Sequence, residues 1–207
     1  MGTIDKGVRV LDAVEQAGPR SLADLVAATG LSRATAHRLA VALESHGLLR
    51  RTADGRFALG LRLVGLGRAA ADGLPLADAA GPALAELRDA TGESVQLYVR
   101  EGDQRVCVAS LESPHGLRTI VPMGAALPLD RGSAGRALEA AGSGWVASVE
   151  ERERGVASVS APVFDRDGRV VAAVSVSGPI ERTTREPGRR YGPAVETAAR
   201  RVEAALA

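Results

Sequence analysis

Cysteine is almost absent from the chain of 207 residues: Cys107 is the only one. That excludes an intrachain disulfide and any zinc site built from several cysteines. Its flanks, from Arg105 to Ser110, alternate as a strand does, so a buried and chemically quiet thiol is expected. Aromatic residues are nearly as scarce, with two Phe, two Tyr and Trp145 alone; the interior must be packed from Leu, Val and Ala. No apolar run is long enough to cross a bilayer, and the first residues lack the charged-then-apolar layout of an export signal. A cytoplasmic protein with no membrane partner is therefore expected. Charge of one sign is also lacking, since the net charge is only +1. With 45% apolar and 25% charged residues, the chain has the composition of an ordinary folded protein, long enough for two small domains.

The most informative stretch runs from Ser21 to Leu59. Ser21 and Asp24 stand three residues apart at the head of an apolar-periodic run, a capping-box arrangement that opens a helix. Gly30 can take the left-handed backbone that ends it, and Ser32 supplies an oxygen to cap the next helix, which runs to about His46. On that second helix Ala36, Leu39, Ala40 and Leu43 recur at helical spacing and must face inward. Ser32, Arg33, Thr35, His37 and Arg38, with the small Ala36, then lie near a helix N-terminus, where a recognition helix reaches base edges in the major groove. Gly47 stops the helix. Leu48 to Arg51 and Arg56 to Leu59 flank Asp54-Gly55, a dipeptide suited to a type I′ hairpin turn. A capped helix, a Gly turn, a basic second helix and an Arg-lined hairpin in this order make a winged helix-turn-helix, and double-stranded DNA is the expected partner.

Residues 1–72 carry a net charge of +3 and the remainder −2. The basic excess is modest, so phosphate contacts must come from placement, with Arg33, Arg38, Arg50, Arg51 and Arg56 as candidates. One such module binds weakly alone; two held in a homodimer, or in a dimer of dimers, would bind the half-sites of a near-palindromic operator cooperatively.

Ile4 to Ala17, with Val8, Leu11 and Val14 at helical spacing, is expected to form a first helix behind this head. Leu61 to Ala71 reads as a linker helix, with Gly65 and Gly67 suited to close helix contact. Its loose G-x-G-x-x-A pattern follows a hairpin rather than a parallel strand, so it is no dinucleotide fingerprint. The expected domains are 1–60, a linker at 61–75, and 76–207. In the last of these a helix over Leu76 to Ala90 precedes strands at Ser94–Arg100, Gln104–Leu111, Leu117–Val121, Trp145–Val149, Val156–Phe164 and Arg169–Ser177. Asp167-Gly168 turns the final hairpin, and a helix from about Pro187 to Leu206 closes the chain. The fold class is α+β, one antiparallel sheet with helices against it.

Chemistry finds little purchase in this region. His115 lies in a turn composition and is expected on an exposed loop. No nucleophile elbow surrounds Ser175 and Ser177, which alternate with valines and look like the lining of a pocket. Gly132 to Arg136 lacks the ending of a phosphate-binding loop; amides near Ser133, at the head of a helix starting near Ala134, could instead meet a carboxylate. No catalytic residue, metal ligand or cofactor is expected, and the chain does not read as an enzyme.

Taken jointly, several stretches are specific: Gly7-Val-Arg-Val-Leu11, Thr29 to Leu39, Phe57-Ala-Leu-Gly60, Gly132 to Ala137, Gly155 to Val163 and Ser175 to Pro179. On these the chain resembles the IclR family of bacterial transcriptional regulators over nearly its whole length. The stretch through Arg182 most resembles an actinobacterial subgroup of the NdgR type, tied to amino-acid metabolism such as leucine biosynthesis. The resemblance implies a GAF-like C-terminal domain that binds a small-molecule effector, an amino acid or small carboxylate, and governs operator binding. By position it implies an effector site at Met123, Gly124, Ser133, Ala134, Val156, Ser158, Ser175 and Ser177. One departure stands out, because the family has a substantially longer connection where this chain has only Glu139 to Gly144. Two rivals follow: a ligand-independent architectural DNA-binding dimer with a truncated sensor, or an enzyme with an accessory head.

Overall fold

Helix α1 (Thr3–Ala17) packs through Gly7, Val10, Ala13 and Val14, a stripe one step round from the expected one, and Val8 is left exposed. In this computed structural model residues 2–73, 75–142 and 144–206 are described. Residue 74 of the expected linker and residue 143 of the short connection lie outside them. Helix α2 (Leu22–Thr29) opens on the expected capping box. Ser21 Oγ accepts from the Asp24 amide at 3.2 Å, and Asp24 accepts from the Ser21 amide at 3.0 Å. The Ser21 hydroxyl also donates to the Asp24 carboxylate at 2.8 Å, and this bond first, then that from the Ser21 amide, holds the carboxyl below its ordinary pKa. The Gly30 amide donates to the Val26 carbonyl and closes α2. Helix α3 (Arg33–Ser45) starts at Ser32, whose Oγ accepts from the Thr35 amide.

Strands β1 (Leu49–Arg51) and β2 (Phe57–Leu59) form the expected hairpin. Its turn differs from expectation. A type I′ turn needs positive φ at two residues, and here Gly55 has it, at 80°, while Asp54 does not. The Gly55 amide donates to the Thr52 carbonyl, and the Thr52 amide to the Arg56 carbonyl. This is a three-residue loop closed by a left-handed glycine, so Asp54 keeps an ordinary backbone and only Gly55 bears the constraint. A backbone bridge between Arg20 and Phe57 ties the hairpin to the rest of the head. Its core is aliphatic, with Val10, Leu25, Ala36, Leu39 and Leu49 packed around Phe57.

The chain divides into two compact units, Met1–Gly73 and Leu74–Ala207. Helix α4 (Arg62–Asp72), the expected linker helix, belongs to the first. The second holds helix α5 (Pro75–Thr91) and one six-stranded sheet, β5-β4-β3-β8-β7-β6, antiparallel at every junction. Its strands are β3 (Ser94–Glu101), β4 (Gln104–Leu111), β5 (Ala126–Pro128), β6 (Val146–Val149), β7 (Val156–Phe164) and β8 (Val170–Pro179). Alternation along the strands sorts the side chains between two faces. Val95, Leu97, Val159, Ala161, Val174 and Val176 pack against α5 and the terminal helix α8 (Pro187–Leu206). Tyr98, Cys107 and Ala173 face the other way, towards the short helix α6 (Ser133–Leu138). Burying each such valine contributes roughly 1.5–3 kcal/mol, and small residues leave room for helices on both faces.

The stretch 117–121 is not a strand. The free edge of β4 is already taken: Cys107 pairs with the backbone at Gly124 and Ala125, and β5 continues the pairing. Burial alternates only over the last three residues, where Thr119 and Val121 are buried and Ile120 is exposed, while Leu117 is exposed as well; the Thr119 carbonyl is pinned by Ser94 Oγ at 2.7 Å. A second unforeseen element, α7 (Ile180–Thr183), carries Arg182 onto the buried Glu93 carboxylate in a two-bonded fork of 2.7 and 2.9 Å.

Candidate nucleic-acid interface and ligand pocket

Helix α3 presents two distinct faces. Leu39 and Ala40 are buried, while Ser32, Arg33, His37 and Arg38 are exposed and Thr35 is half-buried. The exposed residues line the N-terminal turns on one side, so a duplex could meet several of them at once. Ala36 is a correction. Its methyl is fully buried, because it shares the helical stripe of Leu39 and Ala40, and it cannot also touch a base. Sequence reasoning missed Val41, 41% exposed, which continues the outward face and could meet a thymine methyl. Its spacing of four from His37 was the available signal.

The wing arginines are not equivalent. Arg51 lies over the Phe57 ring, 4.1 Å from its centroid, donates to the Gly55 carbonyl at 3.0 Å and pairs with Glu44; it braces the hairpin. Arg56 pairs with Asp54 at 3.0 Å, both exposed. Arg50 is exposed, and among the described residues its side chain has no hydrogen-bond or ion-pair partner, as is also true of the side chains of Arg33 and Arg38. These three are the cations best placed to donate to phosphate oxygens.

In the second unit a polar pocket opens between α6 and the sheet. Ser133 Oγ is hydrogen-bonded to Ser158 Oγ at 2.7 Å and to Ser160 Oγ at 2.8 Å, and Ser160 donates to Ser175 Oγ at 2.9 Å. Ser177 donates to Gln96 Oε1 at 3.0 Å. Strand parity on β7 and β8 puts these hydroxyls on one face, and Ala134 and Val156 complete that side of the lining. Six of the eight residues expected from the resemblance therefore come together, and two do not. Met123 is 66% exposed and Gly124 is exposed. The bond from the Gly124 amide to the Cys107 carbonyl, 2.7 Å, turns that loop outward. The void itself is about 20 Å³, room for roughly one water.

Six further residues line the pocket: Tyr98, Arg105, Gly132, Ser148, Arg152 and Glu153. Arg105 had a legible signal, since it shares strand parity with the buried Cys107. Arg152 had none, because Glu150 to Arg154 reads as a solvated charge run. Arg105 is 3% exposed, donates from Nη1 to the carbonyls of Pro128 and Arg131, and lies over the Tyr98 ring. Its Nε has no partner. Burial lowers its pKa; Tyr98 opposes this, and the positive charge of Arg152 adds to it. The α6 amide that the sequence offered to a carboxylate is already engaged. Gly132 donates to Glu151 at 3.1 Å, and Arg136 grips the same carboxylate. Burial pushes the Glu151 pKa up, and these bonds outweigh it and hold the carboxyl ionised.

Burial pushes the Cys107 thiol up to about 11 from an ordinary value near 9, and pushes the Tyr98 phenol up as well. Above pH 9 the unfolded state therefore releases protons that the folded state keeps, and stability falls as pH rises from 9 towards 11. Melting temperature against pH should show this alkaline loss, and Cys107→Ala should flatten it. An unchanged slope in that variant would assign the loss elsewhere.

A winged helix-turn-helix followed by a serine-lined sensor-type domain is the build of a ligand-responsive transcription regulator. The helix-turn-helix model of the IclR family matches residues 3–53, and its C-terminal model, described as bacterial transcriptional regulator IclR C-terminal, matches 68–143 and 139–204. The chain belongs to the IclR family. The two C-terminal matches meet at the short connection after Glu139. Among similar proteins, the HTH-type transcriptional regulator KipR of Bacillus subtilis is 25% identical, over 89% of this chain and 88% of its own. The HTH-type transcriptional repressor AllR of Escherichia coli K12 is 25% identical over 98% of this chain and 89% of its own. That alignment spans 242 positions, more than the chain has residues, so AllR carries stretches absent here. Among solved structures, the IclR protein of Thermotoga maritima has 23% identity, a TM-score of 0.77 and coverage of 99% and 98%. An IclR homologue of Microbacterium hydrocarbonoxydans, complexed with 4-hydroxybenzoate, has 21% identity, a TM-score of 0.82 and coverage of 99% of each chain. These two likenesses establish the fold. No helix among the described residues is long and apolar enough to cross a membrane.

Proposed function

We propose that the protein is a cytoplasmic, homodimeric regulator whose α3 reads a near-palindromic operator and whose pocket senses a small metabolite of amino-acid metabolism, as in the NdgR-type subgroup. The observation that carries this reading is the division of α3, with Arg33, His37 and Arg38 exposed and Leu39 and Ala40 buried. Ser32, Thr35 and His37 contact bases, Arg33, Arg38, Arg50 and Arg56 grip the backbone, and Arg51 holds the wing in place. A second copy would cover the apolar side chains left on the head: Ile4 and Val8 on α1, and Leu61, Val64 and Leu66 on or beside α4. The effector acts by binding the DNA-competent and DNA-incompetent states with different affinity.

One observation favours a second reading, an architectural dimer that senses nothing: the void is about 20 Å³ and the connection after Glu139 is short. Recovery of bound fragments from genomic DNA tests the first part, and the expected result is one inverted-repeat motif. Titration of that motif with amino acids and small organic acids tests the second. A ligand that releases the DNA and raises the melting temperature supports sensing; a screen without any such ligand selects the architectural reading.

A further inference from the structure

Resting on the reading of α3 as the helix that enters the major groove, we propose that Ala34 and Val41 make it a reader of pyrimidine C5 methyl groups, those of two thymines about three base pairs apart in each half-site. The buried residues Ala36, Leu39 and Ala40 define the inward line of the helix. At about 100° per residue, Ala34, Arg38 and Val41 fall within roughly 40° of the opposite direction, and all three are exposed. His37 and Ala42 lie further round on either side, also exposed. The Arg38 side chain is long enough to reach past the groove floor to a phosphate, whereas a methyl and an isopropyl group meet only what lies directly beneath them.

Two observations say what lies beneath. Val41 is 41% exposed and is no part of the core of the head, and a β-branched residue is a poorer helix former than the alanines beside it, so neither packing nor propensity places it there. On its flanks the Arg33 and Arg38 side chains are exposed, without a hydrogen-bond or ion-pair partner among the described residues. An apolar line flanked by uncommitted cations matches a groove with anionic walls, and on a floor made otherwise of donors and acceptors the thymine methyl is the apolar group. A purine N7 or a cytosine amino group beneath Val41 would lose water without gaining a partner, so the contact that favours thymine disfavours the other bases. Ala34 and Val41 are seven residues apart, about 10 Å along the helix. At about 3.4 Å of rise per base pair, that distance spans about three base pairs.

The test uses the full chain and duplexes carrying the inverted-repeat motif recovered from genomic DNA. Each thymine is replaced in turn by uracil, which removes the methyl and leaves every hydrogen-bonding group in place. The expected result is a loss of about fourfold for each methyl removed at two positions of a half-site, about three base pairs apart, the worth of one buried methyl-sized group. In Val41→Ala the loss at one of these positions should vanish, and in Ala34→Ser the loss at the other. Both variants should melt as the wild type does, because each side chain is exposed. 5-Methylcytosine, which carries the same methyl, should bind more tightly than cytosine at these positions; equal affinity would assign the uracil effect to duplex stiffness and overturn the contact. Uracil tolerated at every position, or a uracil penalty undiminished in both variants, overturns the proposal, while sequence-specific binding keeps the regulatory reading. If Val41→Ala alters self-association and not DNA affinity, the side chain belongs to a contact with a second copy and the proposal falls. Failure to recover any motif defeats the regulatory reading and the proposal with it.

Discussion

Gly135→Ala is expected to destabilise the C-terminal unit by about 3 kcal/mol or more, lowering its melting temperature by on the order of ten degrees or preventing folding. A Cβ at this position would lie 1.8 Å from the Leu129 carbonyl oxygen and 2.7 Å from its carbon. Both are backbone atoms, and neither can move independently of the turn. That turn is itself fixed, since Arg105 holds the Pro128 and Arg131 carbonyls on either side of Leu129. The methyl would therefore push α6 off the sheet and break the Ser133 contacts that close the pocket. Trp145 is the only tryptophan and lies in this unit, so its fluorescence reports this unfolding separately from the head. Gly81→Ala is the control: nothing lies within 4 Å of its added carbon, and a helical Gly-to-Ala change should be neutral or slightly stabilising. Wild-type melting of Gly135→Ala would show that α6 has freedom the packing denies.

The second large effect concerns DNA. Thr35→Ala and Arg50→Ala should both weaken operator binding, but in distinguishable ways. Under the proposed reading Thr35 faces the bases from the first turn of α3, and loss of a base contact costs about 1–3 kcal/mol per site and alters which sequence is preferred. The Arg50 side chain is exposed, with no partner among the described residues, and its loss should weaken all sequences alike and reduce the salt slope by about one per site. Binding isotherms on operator and scrambled DNA at several salt concentrations separate the two. Identical behaviour of the variants would refute the division between reading helix and gripping wing. Arg51→Ala should behave differently from both, lowering head stability through the loss of its Phe57 and Glu44 contacts.

Where the sequence was most legible, local rules and tertiary packing agree. The Ser21–Asp24 box, the Gly30 stop and the Ser32 cap are satisfied by residues within four positions of one another, and each appears in the structure. The terminal helix Pro187–Leu206 and the strands Gln104–Leu111 and Val156–Phe164 fall at the expected bounds. The misreadings arose where a local pattern had two solutions. Val8–Leu11–Val14 and Val10–Val14 are both helical stripes on α1, and only its neighbours choose between them. Leu117–Val121 has the β-branched composition of a strand but had no edge left to join.

Periodicity, capping and turn residues determined, from the sequence alone, the winged head, the antiparallel sheet and the parity that turns Ser175 and Ser177 to one side. These depend on neighbours in the chain and on the two geometric repeats of helix and strand. Tertiary structure alone decided which of several arginines is braced and which is free, that Ala36 is core, and that Met123 turns away from the pocket. It also decided that the Glu151 carboxylate takes the Gly132 amide at the head of α6, and that the Arg105 Nε is left without a partner. Each of those outcomes rests on groups far apart in sequence competing for the same few hydrogen bonds, and no local pattern records who wins that competition.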